Sequence, residues 1–283
     1  MIEGRRSGTA ERVAMRRAAH QLWDEPVIFA DPLAWTILSD DARERIRAGI
    51  EEENRNPWAR GLRAFVAARS RFAEEEMARA AACGVRQAVI LGAGLDTFAC
   101  RNPHAELSVF EVDHPATQAW KRERLREGGI AIPESVRFAP VDFESETLGE
   151  GLAAAGFRED RPAFFSWLGV VPYLSRETVF ATLEFIAGLP LGSGLVFDYA
   201  IPRELLTERE QTAFDQLAER VARAGEPFRS FFDPEKLTED LRGMGFSAVA
   251  DLDGAAIRER WSGEPAREQR PHGRAGRLLC AWV

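Results

Sequence analysis

The stretch of this chain that most constrains its fold covers residues 86 to 113. It begins with Gln87 to Leu91, a short apolar run of the kind that a parallel strand covered on both faces requires. Gly92-Ala93-Gly94 follows without a gap, and a second apolar run, Leu107 to Phe110, leads into acidic residues. A strand, a glycine turn, a helix start and a second strand predict the first crossover of a nucleotide-binding α/β sheet.

The acidic residues after the second run have the spacing of a nucleotide site. Glu111 and Asp113 lie 19 and 21 residues after Gly92. In such sites the glycines let the backbone approach the ligand, and a carboxylate at the end of the next strand accepts hydrogen bonds from the ribose hydroxyls. We therefore expect Gly92 and Gly94 to line a nucleotide, and Glu111 or Asp113 to hold its ribose.

The first helical turn after the glycines indicates which ligand binds. It begins Leu95-Asp96-Thr97, and the third glycine of the dinucleotide fingerprint is missing. In a dinucleotide site the pyrophosphate lies on the amides of this turn, where the Asp96 carboxylate would repel it. A ligand with an ammonium and a sulfonium group would be attracted instead, which favours S-adenosylmethionine over NAD. Asp96 could also cap the helix in either kind of site.

The order of predicted elements gives the fold class. Residues from about Thr9 to Cys83 have helical patterns only, whereas strands and helices alternate after Arg86. The further predicted strands cover residues 135–141, 163–167, 194–199, 246–252 and 277–283. This alternation predicts an α/β protein with a doubly wound, mainly parallel seven-stranded sheet and an N-terminal helical cap. The expected division is a cap at 7–84 and a Rossmann-like S-adenosylmethionine-binding catalytic domain at 85–283.

Composition excludes several classes of protein. The net charge of −8 and a pI of about 5.3 give no basic field for nucleic acid. No apolar run approaches the roughly 18 residues of a membrane span, and three cysteines and four histidines form no ligand-spaced set. We expect a metal-free, cytoplasmic protein. Residues 1–6 are set apart, because Met1 to Arg5 match a protease-cleavage linker.

One arginine lies on the apolar face of a predicted helix that begins at Pro57. Arg69 shares this face with Trp58, Leu62, Phe65 and Phe72 at helical spacing. A buried charge without a partner is costly, so Arg69 needs an anion. That anion could be the carboxylate of the donor's methionine half, held by two hydrogen bonds, or an acidic residue elsewhere in the chain. Arg71 is expected to pair with Glu75 one turn later.

The end of the third predicted strand completes the candidate site. Asp142 and Phe143 follow that strand directly. An aspartate there can accept a hydrogen bond from the adenine amino group, while the neighbouring aromatic ring packs on the base. The alternative is a turn aspartate beside a core phenylalanine.

Several of these segments together resemble a known family. They are GTAERVAMRRAA, FADPLA, AARSRF, VILGAGLDTFACR, VFEVDHP, the VDF turn and WLGVVPYL. The pattern resembles the bacterial branch of the leucine carboxyl methyltransferase family, S-adenosylmethionine-dependent enzymes of the class I Rossmann-like fold with an N-terminal helical cap. The resemblance implies these roles: Arg69 for the donor carboxylate, Gly92 and Gly94 for the loop under its methionine part, Asp113 for the acidic contact, and Asp142 with Phe143 for adenine.

The chain departs from the family where a glutamate often precedes the glycine ahead of the Tyr-Leu pair. Leu168 stands there, so an apolar side chain replaces a polar contact. The eukaryotic activity on a phosphatase tail is therefore not transferred. We expect O-methylation of a carboxylate or hydroxyl on a small molecule or peptide, by direct displacement at the methyl carbon. Tyr173 and Asp198-Tyr199 are possible bases for a hydroxyl, or structural residues, and no catalytic residue is assigned.

Other interpretations remain open from the sequence. The glycine spacing also fits an NAD-dependent oxidoreductase, and a non-catalytic protein could keep the donor-binding fold. Aromatic side chains could wall an acceptor pocket or fill the core: Trp23, Trp35, Phe65, Phe228, Phe231 and Phe232.

Overall fold

A computed structural model describes residues 8–142, 146–223, 225–262 and 276–283. Its described strands form one seven-stranded sheet. They are β1 (Gln87–Leu91), β2 (Ser108–Asp113), β3 (Val136–Pro140), β4 (Ala163–Trp167), β5 (Gly194–Ala200), β6 (Ala248–Leu252) and β7 (Gly276–Trp282). The expected fold class is confirmed, and the strand predictions differ from these bounds by a few residues at their ends.

The strand order in the sheet is β3-β2-β1-β4-β5-β7-β6. The five strands from β1 to β5 pair in parallel, whereas β7 runs antiparallel to both β5 and β6. The order reverses between β1 and β4, which makes this the topological switch point of the sheet. In open α/β sheets, ligands bind in the crevice at the carboxyl ends of the strands beside such a point.

Helices precede the sheet and connect its strands. They are α1 (Gly8–Trp23), α2 (Asp40–Arg55), α3 (Pro57–Ala82), α4 (Phe98–Arg101), α5 (Pro115–Glu127), α6 (Leu148–Ala154), α7 (Arg176–Ala187), α8 (Glu208–Arg223), α9 (Pro234–Met244) and α10 (Gly254–Ser262). In the described part of the chain, no helix is both long and apolar enough to cross a membrane.

Capping residues explain where the best-predicted helices begin. The Asn56 side chain accepts hydrogen bonds from the backbone N–H groups of Trp58 (3.0 Å) and Ala59 (3.4 Å), so α3 starts at the proline that follows. The similar Asp31-Pro32 pair does not begin a helix, because residues 32–37 form successive turns and α2 begins at Asp40. The Asp31 carboxylate accepts from the Leu33 N–H (3.0 Å) but also binds Thr97 of the sheet domain (2.7 Å).

The buried apolar residues of the described chain form three clusters. Helix α3 and α10 cover one face of the sheet through side chains such as Phe72 and Trp261, and α6, α7 and α9 cover the other. Helices α1 and α2 bury a smaller third cluster, which also includes Leu95 from the loop after β1 and Leu125 from α5. The N-terminal helices are therefore packed against the loop that carries the predicted nucleotide site.

Candidate functional site

A cavity of about 700 Å³ lies at the carboxyl ends of the parallel strands. Small-molecule sites occupy roughly 300 to 1,000 Å³. The predicted residues on its wall are Arg69, Gly92, Gly94, Asp96, Asp113 and Asp142. Glu111 is absent from this wall, and Phe143 lies outside the described residues. The structure thus brings together residues that are up to 73 positions apart (69 to 142) in the sequence.

Backbone conformation and packing both require glycine at two positions of the turn after β1. Gly92 and Gly94 have φ angles of 64° and 47°, which other residues rarely adopt. A Cβ atom on Gly92 would lie 2.3 Å from Val170 Cγ2, and one on Gly94 would lie 3.0 Å from the Cβ of Ala10 in α1. Helix α1 therefore passes directly over the turn, and larger residues would displace it.

Asp113 occupies the end of β2 beside this turn. Its carboxylate accepts the Gly94 N–H at 2.5 Å and the His114 N–H at 2.7 Å. Burial raises the pKa of Asp113 above its ordinary value of 3.8, although the two backbone hydrogen bonds act in the opposite direction. The structure thus fixes this carboxylate in one orientation on the cavity wall.

Glu111 has a different environment from Asp113. Its Oε1 lies 2.7 Å from the Lys121 Nζ of α5, and both side chains are 1% exposed. Both acidic residues point to the same face of β2, since they are two residues apart. However, α5 covers Glu111, whereas Asp113 lies where the strand leaves the sheet. Spacing alone could not separate the two.

Asp96 accepts a backbone hydrogen bond at the start of α4 and also lies on the cavity wall. Its Oδ1 accepts the Phe98 N–H at 2.7 Å, as a capping residue does, and the side chain also lies on the cavity wall. Its Oδ2 lies 3.8 Å from Arg17 Nη1, an ion pair that the sequence analysis missed. Arg17 is buried in α1 between Ala14 and Ala18, so an arginine on an apolar helix face was again the available signal.

Arg69 has an acidic partner within the chain and also lies on the cavity wall. Its Nη1 donates to Asp198 Oδ2 of β5 at 2.8 Å, and both side chains are 7% exposed. Arg69 also lies on the cavity wall, whereas Asp198 does not. The acidic partner follows Arg69 by 129 residues, so no local pattern could have identified it. The expected pair between Arg71 and Glu75 is confirmed at 2.7 Å.

Asp142 follows β3 and lies on the cavity wall. Its backbone N–H donates to Glu146 Oε2 at 3.1 Å, which shapes the turn after the strand. The side chain of Asp142 is partly exposed and contributes to the cavity, as expected for a residue that meets a ligand.

The possible bases named from the sequence separate clearly. Tyr173 lies on the wall, and burial raises the pKa of its phenol. Tyr199 lies away from the wall, where its hydroxyl donates to Asp251 at 2.6 Å. Leu168 is on the wall. The aromatic residues that could either wall an acceptor pocket or fill the core are not among the wall residues in the described part of the chain.

Helix α1 closes the cavity against the segment 225–229, which follows α8. The Thr9 N–H donates to Glu226 Oε2 at 3.1 Å, and the Thr9 hydroxyl donates to the same oxygen. Thr9, Glu226 and Arg229 all lie on the wall, and none was singled out from the sequence. In the described ranges, no group of three or more His, Cys, Asp or Glu side chains could hold a metal ion.

The residues of the wall fit an S-adenosylmethionine molecule. Carboxylates lie on the wall at the ends of β2 and β3, where they could accept hydrogen bonds from a ribose and an adenine, and the backbone of the glycine turn lines the wall between them. Arg69 and Asp96 supply charges opposite to those of a carboxylate and an ammonium. A pyrophosphate would meet Asp96 at this position.

Comparison with known proteins gives three findings. A family model described as leucine carboxyl methyltransferase matches residues 10–187. The Bacillus subtilis (strain 168) protein YktD, named as a candidate S-adenosyl-L-methionine-dependent methyltransferase, is 31% identical over 82% of this chain and 83% of its own length. A Mycobacterium sp. (strain JLS) protein with the same description is 33% identical over 73% of this chain and 71% of its own.

The fold also has a solved counterpart. The crystal structure of a DUF574 family protein from Streptomyces avermitilis superposes with a TM-score of 0.55 at 16% identity, and it covers 96% of each chain. At this identity the similarity concerns the fold alone. The family model and the two relatives carry the information about activity.

Proposed function

The chain belongs to the leucine carboxyl methyltransferase family and is an S-adenosylmethionine-dependent methyltransferase; from this premise we propose that it methylates an oxygen atom, of a carboxylate or a hydroxyl, on a small molecule or peptide. One observation carries the proposal. A single cavity of about 700 Å³ contains the glycine turn, both strand-end carboxylates and Arg69. The donor and a small acceptor can therefore meet inside one cavity.

The adenosine half of the donor would be held by three features. Asp113 would accept hydrogen bonds from the ribose hydroxyls, because backbone N–H groups already fix its carboxylate. Asp142 would accept from the adenine amino group, with Phe143 proposed to pack on the base. Glu111 would act indirectly, by anchoring β2 to α5 through Lys121.

The methionine half would be held by opposite charges. Arg69 would bind the carboxylate, and Asp96 would lie near the ammonium. Gly92 and Gly94 would let the donor lie against the backbone. Asp96 and Arg69 stand on the same wall, so the two charged ends of the amino acid would each have a partner.

The chemistry requires little from the protein beyond alignment. When bound, the donor supplies an electrophilic methyl group on a positively charged sulfur. The wall residues orient the acceptor oxygen and exclude water, and such alignment is worth several kcal/mol, up to roughly 7 to 11. Because burial raises the pKa of Tyr173, its phenol would stay protonated at neutral pH and would not act as a base.

An oxygen acceptor suits this wall. Arg229 is an exposed arginine at its edge, and its backbone N–H is tied to Pro172 O at 2.6 Å. A guanidinium there would attract an acceptor with an anionic oxygen. A carboxylate acceptor would need no base.

Calorimetry and an acceptor panel test this proposal. We expect S-adenosylmethionine and S-adenosylhomocysteine to bind the full chain, and NAD not to bind. Matched panels of carboxylates, alcohols, phenols, amines and thiols are then screened for S-adenosylhomocysteine release, with heat-inactivated protein as the control. Release only with amines or thiols would overturn O-methylation. Tight binding of NAD without binding of S-adenosylhomocysteine would overturn the donor site.

A further inference from the structure

We propose that Asp198 is a positioning residue, which fixes the Arg69 guanidinium for the carboxylate of the methyl donor. The inference rests on the proposed donor site, since Arg69 is assigned there to the donor carboxylate. Asp198 itself lies behind the wall and has no contact with the cavity. It would therefore act through the wall residues that it binds, and on the donor carboxylate through Arg69.

Asp198 connects three parts of the molecule through its two carboxylate oxygens. Oδ2 accepts from Arg69 Nη1 of α3 at 2.8 Å, and Oδ1 accepts from the Gly169 N–H, in the loop after β4, at 2.5 Å. The aspartate belongs to β5, a strand whose residues are all buried. Each oxygen thus has a separate partner, and the carboxylate cannot rotate without losing one of them.

Gly169 packs closely against the Arg69 guanidinium. It has a φ angle of 72°, and a Cβ atom there would lie 2.7 Å from Arg69 Nη2 and 3.0 Å from Nη1. Only glycine therefore lets the guanidinium lie flat against this loop. Arg69 is held between the Asp198 carboxylate and the Gly169 backbone, with the cavity on its remaining side.

The hydrogen-bonding capacity of arginine leaves donors for a ligand. A guanidinium carries five N–H donors in a planar fork. Among the described residues, the Arg69 side chain makes one hydrogen bond, to Asp198. The Arg69–Asp198 pair is therefore monodentate. The remaining N–H groups of the guanidinium can bind a second carboxylate with two parallel hydrogen bonds.

Asp198→Asn tests the role, because an amide keeps the size of the side chain but removes its charge. The amide has only one oxygen to accept a hydrogen bond. Its NH2 group would face either Arg69 Nη1 or the Gly169 N–H, and two donors cannot bond to each other. The probes are S-adenosylhomocysteine and 5′-methylthioadenosine, which lacks the amino-acid carboxylate. We expect the dissociation constant of S-adenosylhomocysteine to rise tenfold or more, and that of 5′-methylthioadenosine to change less than threefold. An equal loss for both probes would overturn the positioning role.

Two further variants control for general damage. Asp251→Asn removes a charge that pairs with Arg277 and Tyr199 away from the wall, so it should not separate the two probes. In an Arg69→Ala background, Asp198→Asn should cause no further loss of S-adenosylhomocysteine affinity, because its effect passes through Arg69. Additive losses would contradict the proposal.

The outcomes distinguish this inference from the proposed function. If wild-type protein does not bind S-adenosylhomocysteine, the donor site itself fails. If wild type binds and Asp198→Asn binds equally well or better, only the positioning role fails. Should Asp198→Asn not fold, Gly169→Ala decides: its Cβ would displace the guanidinium, and it must show the same selective loss of S-adenosylhomocysteine.

Discussion

At the residue scale, the proposed site assigns different side chains to the two halves of the donor. Arg69→Ala should weaken S-adenosylmethionine binding tenfold or more, because a charge-assisted hydrogen bond contributes about 1.5 to 3 kcal/mol, and it should leave adenosine binding nearly unchanged. Asp142→Ala should weaken adenosine and S-adenosylmethionine alike, since both contain adenine. Calorimetry with both ligands checks the pair of variants. Equal effects of Arg69→Ala on adenosine would remove it from the proposed site.

The partly buried carboxyl of Asp113 gives the second prediction at this scale. Its pKa is raised above 3.8, and in the proposed site its ionised form would accept hydrogen bonds from the ribose hydroxyls. Adenosine affinity should therefore be present at neutral pH and be lost as the pH falls through the raised pKa, at a higher pH than for an ordinary aspartate. Titration at several pH values measures this. Asp113→Asn should bind adenosine weakly at every pH. If the variant and the wild type showed the same pH profile, another group would cause the pH dependence.

At the scale of elements, α1 and the segment 225–229 meet across the cavity through Thr9 and Glu226. Glu226 accepts an N–H from the first turn of α1, where a negative charge is favourable. Glu226→Ala should therefore increase hydrogen exchange in residues 8–13 and speed the release of S-adenosylhomocysteine. Hydrogen-exchange mass spectrometry and stopped-flow release measure the two effects. Glu219→Ala, which breaks an exposed pair with Arg223, is the matched control and should change neither.

At the scale of the whole molecule, Asp31 joins the N-terminal helices to the sheet domain. Its fully buried carboxylate lies 2.7 Å from Arg17 Nε and 3.3 Å from Arg101 Nε, and it accepts from the Thr97 hydroxyl at 2.7 Å. Burial alone would raise the pKa of Asp31, but the two arginines and the hydrogen bonds from Thr97 and Leu33 together lower it overall. This carboxylate therefore stabilises the fold at neutral pH, and the contribution is lost as the pH falls through its lowered pKa.

Asp31→Asn should destabilise the protein by about 3 to 5 kcal/mol, because it leaves buried arginines without their charge partner. Urea unfolding at neutral pH measures the change. The matched control is Asp40→Asn, whose side chain is 92% exposed beside Arg43 and should cost less than about 1 kcal/mol. Similar losses in the two variants would show that the Asp31 network is not a principal connection between the parts.

The sequence by itself determined the elements and the edge of the sheet where the site lies. Short apolar runs, the Asn56-Pro57 and Asp233-Pro234 starts and the glycine turn act through neighbouring residues, so local patterns predict them. Parallel strands then bring their carboxyl ends together, which placed Asp113 and Asp142 beside Gly92 and Gly94.

Only the tertiary structure decided which side chains face one another. Asp198 lies 129 residues from Arg69, and Glu226 lies 217 residues from Thr9, so these partners share no local pattern. Glu111 and Asp113 have equivalent positions in the alternation of β2, and the packing of α5 alone separates them. Periodicity fixes the direction of a side chain from its own backbone, whereas burial and pairing depend on the element that packs against it.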